Sequence, residues 1–157
     1  AAMGEIEEAL KRQWSPLLVE TWGRLDDADA EPRLRRAEAW YDKHPDDAAL
    51  LSTLGRLSAD LQVWGKAREY LGRALALAPD AATWEAMGEV YAGQDNVLMS
   101  QRCYRNALRM LRHEPVEPLP GSHAGSAQAD APMHEQRDEH GMPRLSDEGR
   151  GTSSEGT

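Results

Sequence analysis

The chain has 157 residues, 29% of them charged, and a formal net charge of -9 at pH 7. This acidic balance argues against general binding of duplex nucleic acid, which requires a basic surface. A single cysteine, Cys103, excludes an intrachain disulfide framework, and no run of about 18 apolar residues is present to form a transmembrane segment. The sequence begins AAMGEIEE without an initiator methionine, so we expect a missing N-terminal part, where a membrane anchor would have to lie.

The composition of the chain changes at Pro115. All five tryptophans and all four tyrosines precede residue 105. Residues 115–157 hold three basic and eight acidic side chains and few large apolar ones. Such a segment cannot bury enough surface to offset the entropy lost on ordering. We therefore predict a folded domain over residues 1–114 and a disordered acidic tail over residues 115–157.

Amphipathic patterns and capping residues predict seven helices in chain order. Ser15-Pro16 is typical of an N-cap followed by a proline in the first turn, Pro79 ends a helix, and Asp80 suits the N-cap of the next. Strand signals are nearly absent, since no stretch sustains an apolar alternation and no Asn-Gly or Asp-Gly turn occurs. The predicted helices cover about residues 4–13, 16–25, 31–43, 47–59, 63–77, 81–92 and 96–112.

Two consecutive segments repeat with a period of 33 residues, which appears when Gly55 is aligned with Gly88. Both copies place large residues before the glycine, a small residue further on, and two more residues at helical spacing. The repeat positions are Leu51, Leu54, Gly55, Ala67, Leu71, Ala74 and Pro79 in the first copy, and Trp84, Met87, Gly88, Tyr91, Tyr104 and Ala107 in the second. The pattern resembles the tetratricopeptide repeat, whose two antiparallel helices approach closely where small residues face each other.

This resemblance implies an all-α, tetratricopeptide-repeat helical solenoid, built from antiparallel helix hairpins and followed by the disordered C-terminal tail. Its repeats would span about residues 48–80 and 81–113, after a degenerate repeat at about 14–46. In that first repeat Trp22-Gly23 is displaced from the expected position, and terminal repeats are often atypical. Gly55 would then face Ala67 across its hairpin.

Three strings together resemble a narrower group: ALKRQWSPLLVETWGRL, AEAWYDKHPDDAALLSTLGRL and QVWGKAREYLGRALALAP, at residues 9–25, 37–57 and 62–79. They are similar to the C-terminal repeat region of the HemY-type proteins, a bacterial inner-membrane family named for haem biosynthesis. The resemblance implies repeats on the cytoplasmic face, held by N-terminal transmembrane helices and associated with late haem-pathway enzymes such as ferrochelatase. An oxidase activity is not expected, because no GxGxxG motif follows a strand.

Candidate binding residues lie on the last predicted helix, where Arg102, Arg105, Arg109 and Arg112 share one face. One interpretation is an anion-binding strip for acidic peptides or porphyrin propionates, since arginine pairs with carboxylates in a bidentate fork. The other is a solvated face near a helix C-terminus, which also offers a docking surface for the acidic tail.

Trp64 is a further candidate for partner binding, because its place at the start of a helix is expected to leave part of the ring exposed. No GxSxG nucleophile motif or other catalytic constellation is found, so we predict a protein that is not an enzyme. No metal or cofactor is predicted; His44, His113 and Cys103 are the candidate haem ligands, outside any CxxCH motif. Three functions stay open: a haem-pathway scaffold, a generic peptide-binding repeat module, and a haem- or porphyrin-binding accessory protein.

Overall fold

The computed structural model describes residues 1–26 and 28–120, which form seven helices and no strand. The helices are α1 (Ala2–Arg12), α2 (Pro16–Arg24), α3 (Ala30–Tyr41), α4 (Ala48–Asp60), α5 (Trp64–Leu77), α6 (Ala81–Gly93) and α7 (Val97–Leu111). The predicted all-α class and helix order are confirmed for these residues, with boundaries that shift by at most two positions. Of the tail predicted from Pro115 onward, residues 121–157 lie outside the described residues.

Local capping explains where the helices start and stop. Side-chain oxygens of Ser15, Asp47, Asp80 and Asn96 each accept a hydrogen bond from the backbone N–H three residues later. The predicted caps at Ser15 and Asp80 are therefore confirmed. These bonds satisfy N–H groups that have no partner within the first turn of a helix.

Three helix ends share a left-handed residue just beyond the last turn. Gln62, Asp95 and His113 have φ of 58°, 58° and 57°, and the N–H after each bonds at 2.9 Å to the carbonyl five residues back. This arrangement is the Schellman motif. Because Asp47 and Asp80, and likewise Gln62 and Asp95, are 33 residues apart in the chain, the caps carry the same period as the sequence repeat.

Helices α4 and α5 pack as an antiparallel hairpin, and so do α6 and α7. A Cβ placed on Gly55 would lie 2.5 Å from the Leu71 side chain and 3.3 Å from the Ala67 carbonyl oxygen. In the next hairpin the Gly88 carbonyl accepts a hydrogen bond of 2.8 Å from Ser100 Oγ. Small residues thus lie where the two helices of each hairpin come closest.

The N-terminal half is not a third copy of this arrangement. Helices α2 and α3 each pack on α4, while their own backbones stay apart. Gly23 faces α4, where an added Cβ would lie 2.8 Å from Thr53, and this accounts for the displaced Trp22-Gly23 pair. Trp22 is fully buried with its ring 4.7 Å from that of Trp40, so aromatic side chains separate α2 from α3. The segment at 14–46 therefore differs from the hairpins at 48–80 and 81–113.

Buried apolar side chains form two packed groups. The first lies among α1 to α4 and includes Leu10, Val19, Trp22, Leu34, Ala37, Leu50, Leu54 and Leu57. The second lies among α5 to α7 and includes Ala67, Leu71, Leu75, Trp84, Met87, Val90, Cys103 and Ala107. Most of the predicted repeat positions are buried in these groups, whereas Pro79 is exposed and Tyr104 is 37% exposed. Cys103, rather than Tyr104, points fully inward on α7.

Candidate functional site

The four arginines of α7 meet an acidic residue from the segment that follows them. Arg109 Nη2 lies 2.9 Å from Glu117 Oε1, while Arg102 Nε and Arg105 Nη1 lie 3.9 and 4.0 Å from Glu117 Oε2. Arg112 is the exposed C-cap residue of α7 and forms no salt bridge within the described residues. For Glu117, the structure thus matches the second interpretation, in which the acidic tail docks on this face.

Residues 115–119, here named the C-terminal strap, pack back on α7. Fully buried Asn106 bonds Glu117 in both directions: its Nδ2 donates to the Glu117 carbonyl at 2.7 Å, and its Oδ1 accepts the Glu117 N–H at 2.8 Å. Leu119 is 8% exposed and joins the second packed group. The packed part of the chain therefore continues beyond residue 114, the boundary suggested by composition.

Replacing Asn106 by alanine should release the strap. Both hydrogen bonds to Glu117 would be lost, so we expect a decrease of about 1–2 kcal/mol in the free energy of unfolding. Hydrogen exchange at the Glu117 amide should become unprotected while amides in α4 stay protected. Glu117→Gln is the matched control, because it keeps the backbone bonds and removes only a partly exposed charge pair worth about 1 kcal/mol or less. Unchanged protection at the Glu117 amide in Asn106→Ala would contradict this assignment.

Trp64, the other predicted binding residue, joins two helices. It is half-buried, and its indole ring covers Gly93 of α6 so closely that no Cβ would fit there. The ring also packs against the second apolar group. Part of Trp64 is accessible, as expected, but its main contact is the one between α5 and α6.

The candidate haem ligands occupy three separate parts of the fold. Cys103 is fully buried, and burial raises the pKa of its thiol to about 11, so the sulfur stays protonated at neutral pH. His44 stacks on Trp14 with ring centroids 3.7 Å apart, and His113 is exposed at the end of α7. In the described ranges, no group of three or more His, Cys, Asp or Glu side chains is placed to hold a metal.

A groove along α2, α4 and α6 was not foreseen from the sequence. It consists of two hollows of about 240 and 200 Å³, and Arg56 lines both. Arg24 at its edge pairs with Glu20 at 2.5 Å, whereas half-buried Arg56 forms no salt bridge or side-chain hydrogen bond with any described residue. The other lining residues include Ala48, Ala49, Ala82, Ala86, Glu85 and Glu89.

The groove combines small apolar residues with charges of both signs. Glu85 and Glu89 are exposed on α6, and Arg56 approaches the same hollow from α4. Beneath them, buried Ser52 and Thr83 hydroxyls bond each other at 3.1 Å and tie α4 to α6. The sequence signal was the spacing of Glu85 and Glu89 on one helix face, which is equally typical of a solvated surface.

Arg33 is a second residue that sequence reasoning missed. It is only 5% exposed, its Nη2 donates to the carbonyls of Trp22 and Gly23 at 2.9 Å each, and its guanidinium carbon lies 5.2 Å from the centroid of the Trp22 ring. Burial raises the pKa of Asp60, and the positive charge of Arg33 opposes that shift. Arg33 therefore satisfies the carbonyls at the end of α2 and places a cation where the helix dipole favours one.

No family model, curated protein or solved structure was found to match this chain. None of the seven helices in the described part is both long and apolar enough to cross a membrane.

Proposed function

We propose that the chain is a tetratricopeptide-type helical array that binds a segment of a partner protein in the groove of α2, α4 and α6. The observation that carries this proposal is the pair of hairpins with caps and close contacts repeated at 33 residues, which sets α4 and α6 side by side. Repeated hairpins of this kind build extended concave surfaces suited to peptides.

The lining of the groove supports binding rather than catalysis. Its residues supply guanidinium, carboxylate and methyl groups, and none is a histidine or cysteine. The Ser52 and Thr83 hydroxyls are buried and bonded to each other, so neither is presented as a nucleophile. Arg56, half-buried and without a charged partner in the described residues, is the group best placed to receive a carboxylate of the partner.

The HemY-type resemblance supplies the proposed partner class. We place this non-catalytic scaffold with late haem or porphyrin enzymes, ferrochelatase first, at the cytoplasmic face of a bacterial inner membrane. The membrane part requires two apolar segments of about 20 residues in the sequence that precedes Ala1. Their absence there would exclude it. The alternative is a peptide-binding module with no connection to haem.

Charge reversal at Arg56 tests the groove. We expect the purified chain to bind ferrochelatase in a calorimetric titration, and Arg56→Glu to raise Kd about tenfold or more, which corresponds to at least about 1.4 kcal/mol. Arg35→Glu is the matched control, because Arg35 is exposed on α3 and pairs only with its neighbour Glu31 at 3.5 Å. Its Kd should stay within about twofold of the original value.

The two versions of the function give different results. If ferrochelatase does not bind, the haem association is wrong, and selection from a random peptide library then tests the groove alone. Peptides that bind the unaltered chain and lose affinity for Arg56→Glu would support the generic module. If no peptide distinguishes Arg56→Glu from Arg35→Glu, the groove is not the binding site.

A further inference from the structure

The packing of α6 on α5 shows how this array covers the outer face of a helix. The Trp64 ring lies over the bare backbone of Gly93, and Leu75 is buried beside Met87. The guanidinium of Arg68 adds a contact 5.7 Å from the ring centroid of Tyr91. A helix therefore seats on the face of α5 defined by Trp64, Arg68 and Leu75.

The corresponding face of α7 has no described helix on it. Thirty-three residues after Trp64 and Leu75 stand Val97 and Leu108, which are 63% and 52% exposed. Tyr104 and Leu111, 37% and 69% exposed, lie on the same side of α7. We name these four residues the α7 stripe; their spacing of seven, four and three residues sets them along one helix face.

The strap does not cover this stripe. It is held by Asn106 and Arg109, which lie on a different side of α7 according to the helical period. A contiguous row of exposed apolar side chains on a soluble protein is typical of an interaction surface. What distinguishes this row is that the same face of α5, one period earlier, is already occupied by a helix.

Charge indicates the chemistry of the missing helix. From Val97 to Arg112 the chain carries four arginines and no acidic residue, and Arg105 and Arg112 lie beside the stripe. Helix α6, which covers the equivalent face of α5, carries Glu85 and Glu89 and no basic residue. A second copy of the chain that contributed its own α7 would bring arginines to arginines, so a partner of the opposite charge fits better.

We propose that the α7 stripe is the docking surface for an α-helix of a partner protein, apolar on one face and acidic beside it. This surface lies on the last helix of the described array and is separate from the groove of the proposed function. The partner helix packs on α7 in the way that α6 packs on α5, and its acidic side chains meet Arg105 and Arg112.

A peptide that copies α6 tests this proposal with the full chain. The probe is residues 80–96, DAATWEAMGEVYAGQDN, fluorescently labelled and stapled between positions 82 and 86, which line the groove and do not take part in α5 packing. The staple is needed because isolated helices of this length are marginal in water. We expect saturable binding by fluorescence anisotropy, weakened by added salt and weakened by Glu85→Lys with Glu89→Lys in the peptide.

Variants of the protein locate the binding. Leu108→Glu should raise the Kd of the peptide about tenfold or more, because a charge would enter the apolar contact. Leu77→Glu is the matched control, since Leu77 on α5 is 49% exposed and lies outside the stripe; its Kd should stay within about twofold. Leu111→Glu serves as a second stripe variant. Both stripe residues are largely exposed, so melting temperatures close to that of the original chain should show that folding is intact.

Two outcomes would overturn the proposal. One is the absence of peptide binding, or the same Kd for Leu108→Glu and the original chain. The other is a dimer of the chain in sedimentation that Leu108→Glu dissociates, because the stripe would then be a self-interface and not a site for an acidic partner helix.

Discussion

Replacing Gly55 by valine is expected to lower the free energy of unfolding by about 3 kcal/mol and Tm by roughly 10–15 °C. A Cβ on Gly55 would lie 2.5 Å from Leu71 Cγ, and Leu71 is fully buried with no free space to move into. The Ala67 carbonyl oxygen, 3.3 Å from the same point, belongs to the backbone of α5 and cannot yield either. The hairpin would have to open to admit the new side chain.

The same replacement at Gly65 provides the control. A Cβ on Gly65 meets nothing within 4 Å, and the residue lies in the first turn of α5. We therefore expect a change within about 0.5 kcal/mol, since valine is a slightly better helix former than glycine. Thermal unfolding followed by circular dichroism measures both variants. If Gly55→Val and Gly65→Val have equal stability, the close approach of α4 and α5 at Gly55 is wrong.

Replacing Arg33 by alanine should cost about 3 kcal/mol of the free energy of unfolding. The change removes the donor to two buried carbonyls at the end of α2 and leaves a gap against the ring of Trp22. A hydrogen bond from a charged group contributes about 1.5–3 kcal/mol, and a buried carbonyl left without a donor adds to the loss. Unfolding in urea provides the measurement.

Arg35→Ala is the matched control for Arg33→Ala. Arg35 is two residues away on the same helix, exposed, and paired only with Glu31. Its loss should change the free energy of unfolding by no more than about 0.5 kcal/mol. Arg33→Lys should lie between the two, because an ammonium keeps the charge but not the planar donor geometry of the guanidinium. Equal effects at residues 33 and 35 would show that Arg33 does not support the end of α2.

The helices could be predicted from the sequence because their signals are local. Ser15-Pro16 and Asp80 begin helices through a side chain that reaches a backbone N–H three residues away. The 33-residue period aligned Gly55 with Gly88, and both glycines lie at close contacts within their hairpins. The displaced Trp22-Gly23 pair was visible in the sequence, but its cause was not, since Thr53 of α4 is its neighbour only in three dimensions.

The candidate site was predicted less well. The arginines of α7 were recognised as one face, but sequence alone left open whether a ligand or the following segment meets them, and Glu117 takes up three of them. Composition placed residues 115–119 in the tail, because the strap has few apolar residues and is held by one buried asparagine. The groove and its arginine, Arg56, were missed, because nothing local distinguishes Arg56 from an ordinary surface charge.

The sequence by itself determined the class of secondary structure, the helix ends and the 33-residue period, since each depends on contacts within about one helical turn or on a regular spacing. Only the tertiary structure decided which charged residues are buried or paired. Arg33 and Arg35 are two positions apart in one helix, yet one lies against Trp22 and the other in solvent. That difference depends on how α3 sits against α2 and α4, and such packing is set by side chains far apart in the chain.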